Sequence, residues 1–450
     1  MGHQTKNIIK VTIPKSFFQE KEYIITTLLE DFLGFRCTLD FHEKDTYEII
    51  LENEKKIIIQ DAFWKNFDEK TGYLSENNIP NKIEFAKSRY APEQNIPIIY
   101  GTTEIRTEPN EIYCGIDIFA SSFFMLTRWE EYVIKQKDKH NRFPCELSLA
   151  QRNNIHYRPV VNEYVFLLKN MLESLLQKKI DISKHFEIIP THDVDQIYRY
   201  KNIFSLFRSL AGDLAKRKSI KTAAETAKKY LAVKKGQALD PYDTFDFLMD
   251  ISEKHNLKSR FYFIAGEKGD NDFRYQFLSD KVGSIINKIR SREHIVGIHG
   301  SYDSYDNESV FYREVNRFKH YGIEVKEGRQ HYLRFKNPET WRIWEQNKMQ
   351  YDSTMGYSND GGFRCGVCYE FNVFDILKRQ KLNLKERPLI VMEVALRQKY
   401  NSTDEFIKNF IALKKKVKQY NGQFVFLWHP NNFNTPYWTE YAKFYENILE

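Results

Sequence analysis

The sequence predicts an α/β protein in two parts: a smaller mixed α/β domain over residues 1–185 and a (β/α) barrel of parallel strands over residues 186–450. Three observations lead there. Short apolar runs recur in the second half at 187–195, 259–265, 294–299, 323–335, 350–353, 388–396 and 424–430, with room for helices between them, and strands alternating with helices are the pattern of parallel βα units. Most of these runs carry a polar side chain capable of chemistry near their C-terminal ends, which is where a parallel barrel collects its functional groups. The first half lacks this rhythm.

In the first half, 8–13 reads as a strand, and Ile24, Leu28, Leu29 and Phe32 are spaced as one face of a helix. The runs 47–51 and 57–59 flank the polar turn Glu52-Asn53-Glu54-Lys55, a hairpin pattern. Residues 96–100 form a further strand that Pro97 assigns to an edge. Asp117 is placed to cap a helix through Phe123, Phe124, Leu126, Trp129 and Tyr132 into Val133, and another helix spans 160–177. No catalytic constellation appears in this half.

The second half opens on Phe186-Glu187-Ile188-Ile189-Pro190, followed by Thr191-His192-Asp193-Val194-Asp195. A basic helical segment at about 200–238 interrupts the pattern as an insertion; Asp240-Pro241-Tyr242-Asp243 restarts it, with a helix through Phe245, Leu248, Met249 and Ile251. The insertion reads either as a solvated helical face or as a patch for an anionic partner. A net charge of +7 is mild for 450 residues and does not by itself imply nucleic acid. Of the 5 cysteines only Cys365 and Cys368 are paired as C-x-x-C, which is short of a four-ligand zinc site and points to reduced thiols. Met1-Gly2-His3-Gln4-Thr5-Lys6 has no apolar signal region, and no apolar segment of membrane-spanning length follows, so a cytoplasmic location is expected.

On a strand, side chains two apart share a face, so Asp193 and Asp195 enter one site. Adjacent carboxylates repel and are tolerated when one is protonated, hydrogen-bonded or bound to a metal; a capped, solvated β-to-α loop is the plainer alternative. His299 and Asp303 are four apart and share a face if the strand gives way to a helical turn, whereas His294 points away and reads as structural. Asp195, His299 and Asp303 would then form a mixed carboxylate and imidazole site with open positions, suited to a catalytic divalent ion such as zinc. Asp193 would serve as general base, and His429 as general acid with Glu393 orienting its imidazole. The Gly- and aromatic-rich loop from Tyr351 to Cys365 is either a substrate-binding lid, with Arg364 offered to an anionic group, or a packed irregular loop.

Four of these segments resemble the motifs of the polysaccharide deacetylases, the NodB-homology carbohydrate esterases. Thr191-His192-Asp193-Val194-Asp195 is similar to the first motif, implying that Asp193 is the base and Asp195 a metal ligand. Ile298-His299-Gly300-Ser301-Tyr302-Asp303 resembles the second, in which two histidines four apart bind the metal; Asp303 stands where the second is expected. Arg329-Gln330-His331-Tyr332 resembles an R-x-P-Y motif, whose Arg steadies the base and whose Tyr backbone N–H helps form the oxyanion hole; His331 replaces the usual proline and, two residues from Arg329 on the same strand face, is an alternative donor or ligand if Asp303 does not hold the metal. Leu427-Trp428-His429 resembles the last motif, which carries the acid histidine.

The family fold is a distorted barrel of about seven strands, and the resemblance covers residues 186 to 450. The stretch from Asp117-Ile118-Phe119-Ala120-Ser121 to Arg128-Trp129-Glu130-Glu131-Tyr132 is similar to an uncharacterised domain that precedes such deacetylases in Bacteroidetes-type bacteria. The resulting expectation is a hydrolase of carbon–nitrogen bonds that uses zinc, or cobalt or nickel, to remove an acetyl group from a carbohydrate or glycan precursor. Substrate contacts are assigned to His331, Asp352, Arg364 and Trp428. The alternative is a metal-free, inactive carbohydrate-binding protein on the same barrel.

Overall fold

The computed structural model describes residues 8–70, 72–215, 218–266, 271–272 and 275–450. The N-terminal Met1 to Lys6, and Lys216 and Arg217 of the basic insertion, lie outside the described residues. The protein is mixed α/β and divides into two compact units, each assembled from separate stretches of sequence. No helix among the described residues is long and apolar enough to cross a membrane.

The first unit comprises Met1–Glu187, Tyr332–Val391 and Ala412–Phe424. Its six-stranded sheet runs in the order Arg36–His42, Ile8–Pro14, Thr46–Ile50, Lys56–Gln60, Glu111–Ile116 and Gly101–Thr107. The hairpin of the third and fourth is antiparallel, as its apolar runs and polar turn predict. Asp117 caps the helix Ile118–Thr127: one carboxylate oxygen accepts the Ala120 N–H at 2.9 Å, and the other accepts those of Ala62 and Phe63. That helix stops six residues short of Val133. Arg128 takes the left-handed conformation (φ 52°), and its buried guanidinium pairs with Glu130 and Glu131 at the start of the next helical turn.

Two strands the sequence reading missed, Phe371–Asp375 and Gln380–Glu386, form an antiparallel pair, and Tyr351–Asp352 runs parallel to the second. Their signal is weak because Leu382 and Leu384 alternate with charged or polar residues in so short a stretch.

The second unit comprises Ile188–His331, Met392–Ile411 and Val425–Glu450. Its strands are β1 (Glu187–Val194), β2 (Arg260–Ile264), β3 (Ile295–Gly300), β4 (Glu327–Gln330), β5 (Val391–Met392) and β6 (Gln423–Leu427), standing in the order β4-β3-β2-β1-β6-β5. Neighbours from β1 to β4 are parallel. Among the described residues these six form a linear run, not the closed ring the sequence predicts. Two expected runs shrink: 323–335 keeps four residues as β4, and 388–396 keeps two as β5 before the helix Glu393–Lys399 begins. Pro190 is accommodated in β1 because pairing with β2 starts one residue later, at Thr191. The basic insertion folds as two helices, α1 (Ile203–Ala215) and α2 (Ile220–Lys234).

Candidate metal centre and active site

Every group of the cluster comes from the second unit. In β1, alternation sends Thr191 and Asp193 to one face and His192 to the other. On the first face lies Arg329 of β4, fully buried: one guanidinium nitrogen donates to Asp193 Oδ1 at 2.8 Å and another to Thr191 Oγ1 at 3.1 Å. Its guanidinium carbon is 5.3 Å from the centre of the Tyr262 ring. Gly297 makes room for that ring, since a Cβ there would come within 2.5 Å of it and of the Glu327 carbonyl. The effect is to pair Asp193 in a buried place, where an unpaired charge would be expensive.

His192 serves the core. Its Nδ1 donates to the Trp428 carbonyl at 2.7 Å, and its Nε2 meets the Ser259 hydroxyl at 3.2 Å. Burial, only partly opposed by that carbonyl, pushes its pKa down to about 3. In the unfolded chain the value is about 6.5, so from that pH downward the unfolded state takes a proton that the folded state refuses until about pH 3. Stability is therefore lost as pH falls through this window. Urea unfolding of wild type and His192→Asn across it should show the variant's stability falling less steeply with acid, by about one proton; parallel slopes would contradict this.

His299 is next to last in β3, paired in register with Arg329. Its Nδ1 lies 2.9 Å from the Arg329 carbonyl oxygen, which can only accept, so Nδ1 carries the proton and Nε2 presents its lone pair. Burial, and then the neighbouring His331 ring, hold its pKa down at about 3, so the ring is neutral. His331 repeats the arrangement: Nδ1 is 2.9 Å from Asp272 Oδ1, and the Asp272 carboxylate also accepts the Tyr302 N–H. A carboxylate behind a histidine fixes the tautomer and raises the basicity of the other nitrogen.

The two Nε2 atoms stand 3.5 and 3.7 Å from Asp195 Oδ1, a buried oxygen without a hydrogen-bond partner. Two ligand atoms bound tetrahedrally at about 2.1 Å to one ion would be about 3.4 Å apart. Two imidazole nitrogens and a carboxylate oxygen converging in this way fit a divalent cation. Asp195, His299 and His331 are, among the described residues, the one such triad of ligand atoms within 4.8 Å of one another.

His429 follows β6. Its Nε2 is 3.7 Å from Asp195 Oδ2, and its Nδ1 donates to Glu393 Oε1 at 2.7 Å. Asn432 and the His429 backbone N–H donate to the same oxygen. Burial opposes the imidazolium, but the Glu393 carboxylate, with Asp195 and Asp193 beyond it, pushes the His429 pKa up to about 10. A cation held by Asp195 would bring that value down toward the working range of an acid catalyst.

The structure thus brings together Asp193, Asp195, His299, Arg329, Glu393 and His429, and adds His331 to the triad. Asp303 does not join: its side chain is exposed beyond the end of β3, and the third group beside Asp195 and His299 is His331. Trp428 is fully buried, its indole N–H given to the Asn432 carbonyl and its rings packed against Phe433 and Tyr445, so it offers no surface to a substrate. Asp352, Arg364 and Tyr332 belong to the first unit. Arg364 is committed to a buried bidentate pair with Glu131, and Asp352 accepts the Thr354 N–H, both inside the packed loop that the sequence left as an alternative. Tyr332, at φ 59°, gives its carbonyl to Arg142.

Asp272 went unnoticed in the sequence. Its signal was positional: the second apolar run alone had no chemical group assigned to it, and Asp272 follows that run in the next loop.

Residues 9–177 match a family of unknown function, DUF7033, which includes none of these site residues. No curated protein matches the chain. Among solved structures, a provisionally named polysaccharide deacetylase from Mycobacterium smegmatis is similar at 17% identity and a TM-score of 0.36, over 59% of this chain and 83% of that one. A likeness so distant does not bear on the site.

Proposed function

We propose that the second unit is a metal-dependent deacylase, hydrolysing an N-acyl amide, most simply N-acetyl, of a sugar-containing substrate, on a NodB-like parallel sheet. The observation that carries this reading is the unpartnered Asp195 Oδ1 facing two oriented histidine Nε2 atoms, between a clamped carboxylate and a carboxylate-backed histidine. A divalent ion, zinc or else cobalt or nickel, would be held by Asp195, His299 and His331, and when bound it supplies Lewis acidity toward the acyl oxygen and makes water more acidic.

The remaining work falls to side chains. Asp193, held in place by Arg329, takes a proton from water as its oxygen adds to the acyl carbon. His429, protonated and oriented by Glu393, gives its proton to the departing nitrogen as the C–N bond breaks, leaving carboxylic acid and amine.

The test is acetate release from a panel of N-acetylated sugars by protein loaded with zinc, cobalt or nickel. Asp193→Asn should lower kcat about 10²–10⁴-fold while retaining metal. Metal-loaded wild type that releases no acetate from any member, or Asp193→Asn with undiminished activity, would defeat the proposal.

A further inference from the structure

The insertion between β1 and β2 holds features that the hydrolytic reading leaves unused. From Arg199 to Leu239 the sequence has eleven basic and two acidic residues, so this stretch exceeds the net charge of +7 carried by the whole chain. Helices α1 and α2 already have a small core of their own, in which Leu206 packs with Tyr230 and Tyr200, bordered by Leu210 and Val233. Asp213 of α1 accepts the Thr226 hydroxyl of α2 at 2.7 Å. The inward face of α1 is thereby accounted for.

A second apolar face of α1 is not. Ile203, Phe204, Phe207 and Leu214 are exposed, with Phe204 at 76% and Phe207 at 60%. At 100° per residue these four fall within roughly 100° of the helix circumference, a sector that adjoins the inward one of Leu206, Leu210 and Asp213 and turns out to solvent. Ile220 and Leu231 of α2 are also exposed, among the exposed lysines Lys221, Lys228, Lys229 and Lys234. Large apolar side chains held in water inside a strongly basic segment mark an interaction surface. A polynucleotide would engage the lysines and leave the phenylalanines in water, whereas an anionic bilayer has phosphates for the first and an acyl boundary for the second.

We propose that α1 and α2 form a membrane-surface anchor: Ile203, Phe204, Phe207 and Leu214 enter the headgroup region of an anionic lipid bilayer, and the lysines of α2 meet lipid phosphates. The anchor lies on the surface without spanning it. It does not depend on the hydrolytic reading, and it would hold the protein where amphiphilic glycans reside.

Co-sedimentation of the full chain with vesicles tests it, comparing phosphatidylcholine alone with equal parts phosphatidylcholine and phosphatidylglycerol. Wild type should bind the anionic vesicles about tenfold or more tightly than the neutral ones, and less as salt rises. Phe204→Ser with Phe207→Ser, and separately Lys228→Glu with Lys229→Glu, should each weaken that binding about tenfold, with unchanged circular dichroism because all four side chains are exposed. Wild type that stays in the supernatant with anionic vesicles overturns the proposal on its own. So does a phenylalanine variant that binds as wild type does, since the surface would then be a polyanion site, with RNA the ligand to try.

Discussion

Replacing His331 with alanine is expected to abolish stoichiometric binding of a divalent metal, and replacing Asp303 with alanine is expected to leave it intact. The motif resemblance points the other way, because Asp303 occupies the place of the usual second histidine. Geometry favours His331: its Nε2 lies 3.7 Å from Asp195 Oδ1, and its Nδ1 is held by Asp272. Asp303 is exposed outside the triad. Asp272→Asn should weaken the metal by about 10–100-fold, the range seen when a carboxylate behind a ligating histidine is altered. Elemental analysis of purified wild type and variants, with titration of zinc into metal-stripped protein, reads all three. Loss of metal in Asp303→Ala together with its retention in His331→Ala would reverse the assignment.

Arg329→Met should destabilise the fold by about 3–5 kcal/mol, the cost of stranding a buried charge when its partner is removed. Asp193 has only 2% of its surface exposed and receives its charge-assisted hydrogen bond from Arg329, which also bonds Thr191. Urea unfolding measures the loss. Adding Asp193→Leu to Arg329→Met should recover much of it, because the stranded carboxylate goes too. That recovery separates an unpaired charge from simple loss of packing. A single variant within about 1 kcal/mol of wild type would show that Asp193 finds another partner or takes up a proton.

The parts of the site that were legible in the sequence are those with local geometry. Asp193 and Asp195 are two apart on a strand, and His299, Arg329, Glu393 and His429 sit at or just past strand ends, so periodicity alone places them at one end of a parallel sheet. Asp272 was not legible because it lies in a loop, where no period constrains a side chain. Asp303 misled because spacing of four aligns residues only on a helix, and the chain after β3 does not continue as one. Arg364 and Trp428 misled for a different reason: their chemistry suits ligands, but it suits equally a buried ion pair and an aromatic core, and burial is a property of the whole fold. The hairpin Phe371–Asp375 and Gln380–Glu386 escaped because its apolar alternation is too brief to stand out.

The first unit is completed late in the chain. Tyr23 donates its hydroxyl to the Asn372 carbonyl at 2.8 Å, Asn162 accepts the Cys368 N–H at 3.0 Å, and buried Glu131 pairs with Arg364. At roughly 5–20 residues per second, the ribosome adds the 177 residues that follow Glu187, up to Arg364, in about 9–35 s. Throughout that interval the nascent N-terminal region lacks the partners of those three side chains, while the whole of β1 to β4 emerges after it. The N-terminal region must therefore wait for these polar partners while a second unit is synthesised in its midst, a delay that a domain built from one continuous stretch does not meet.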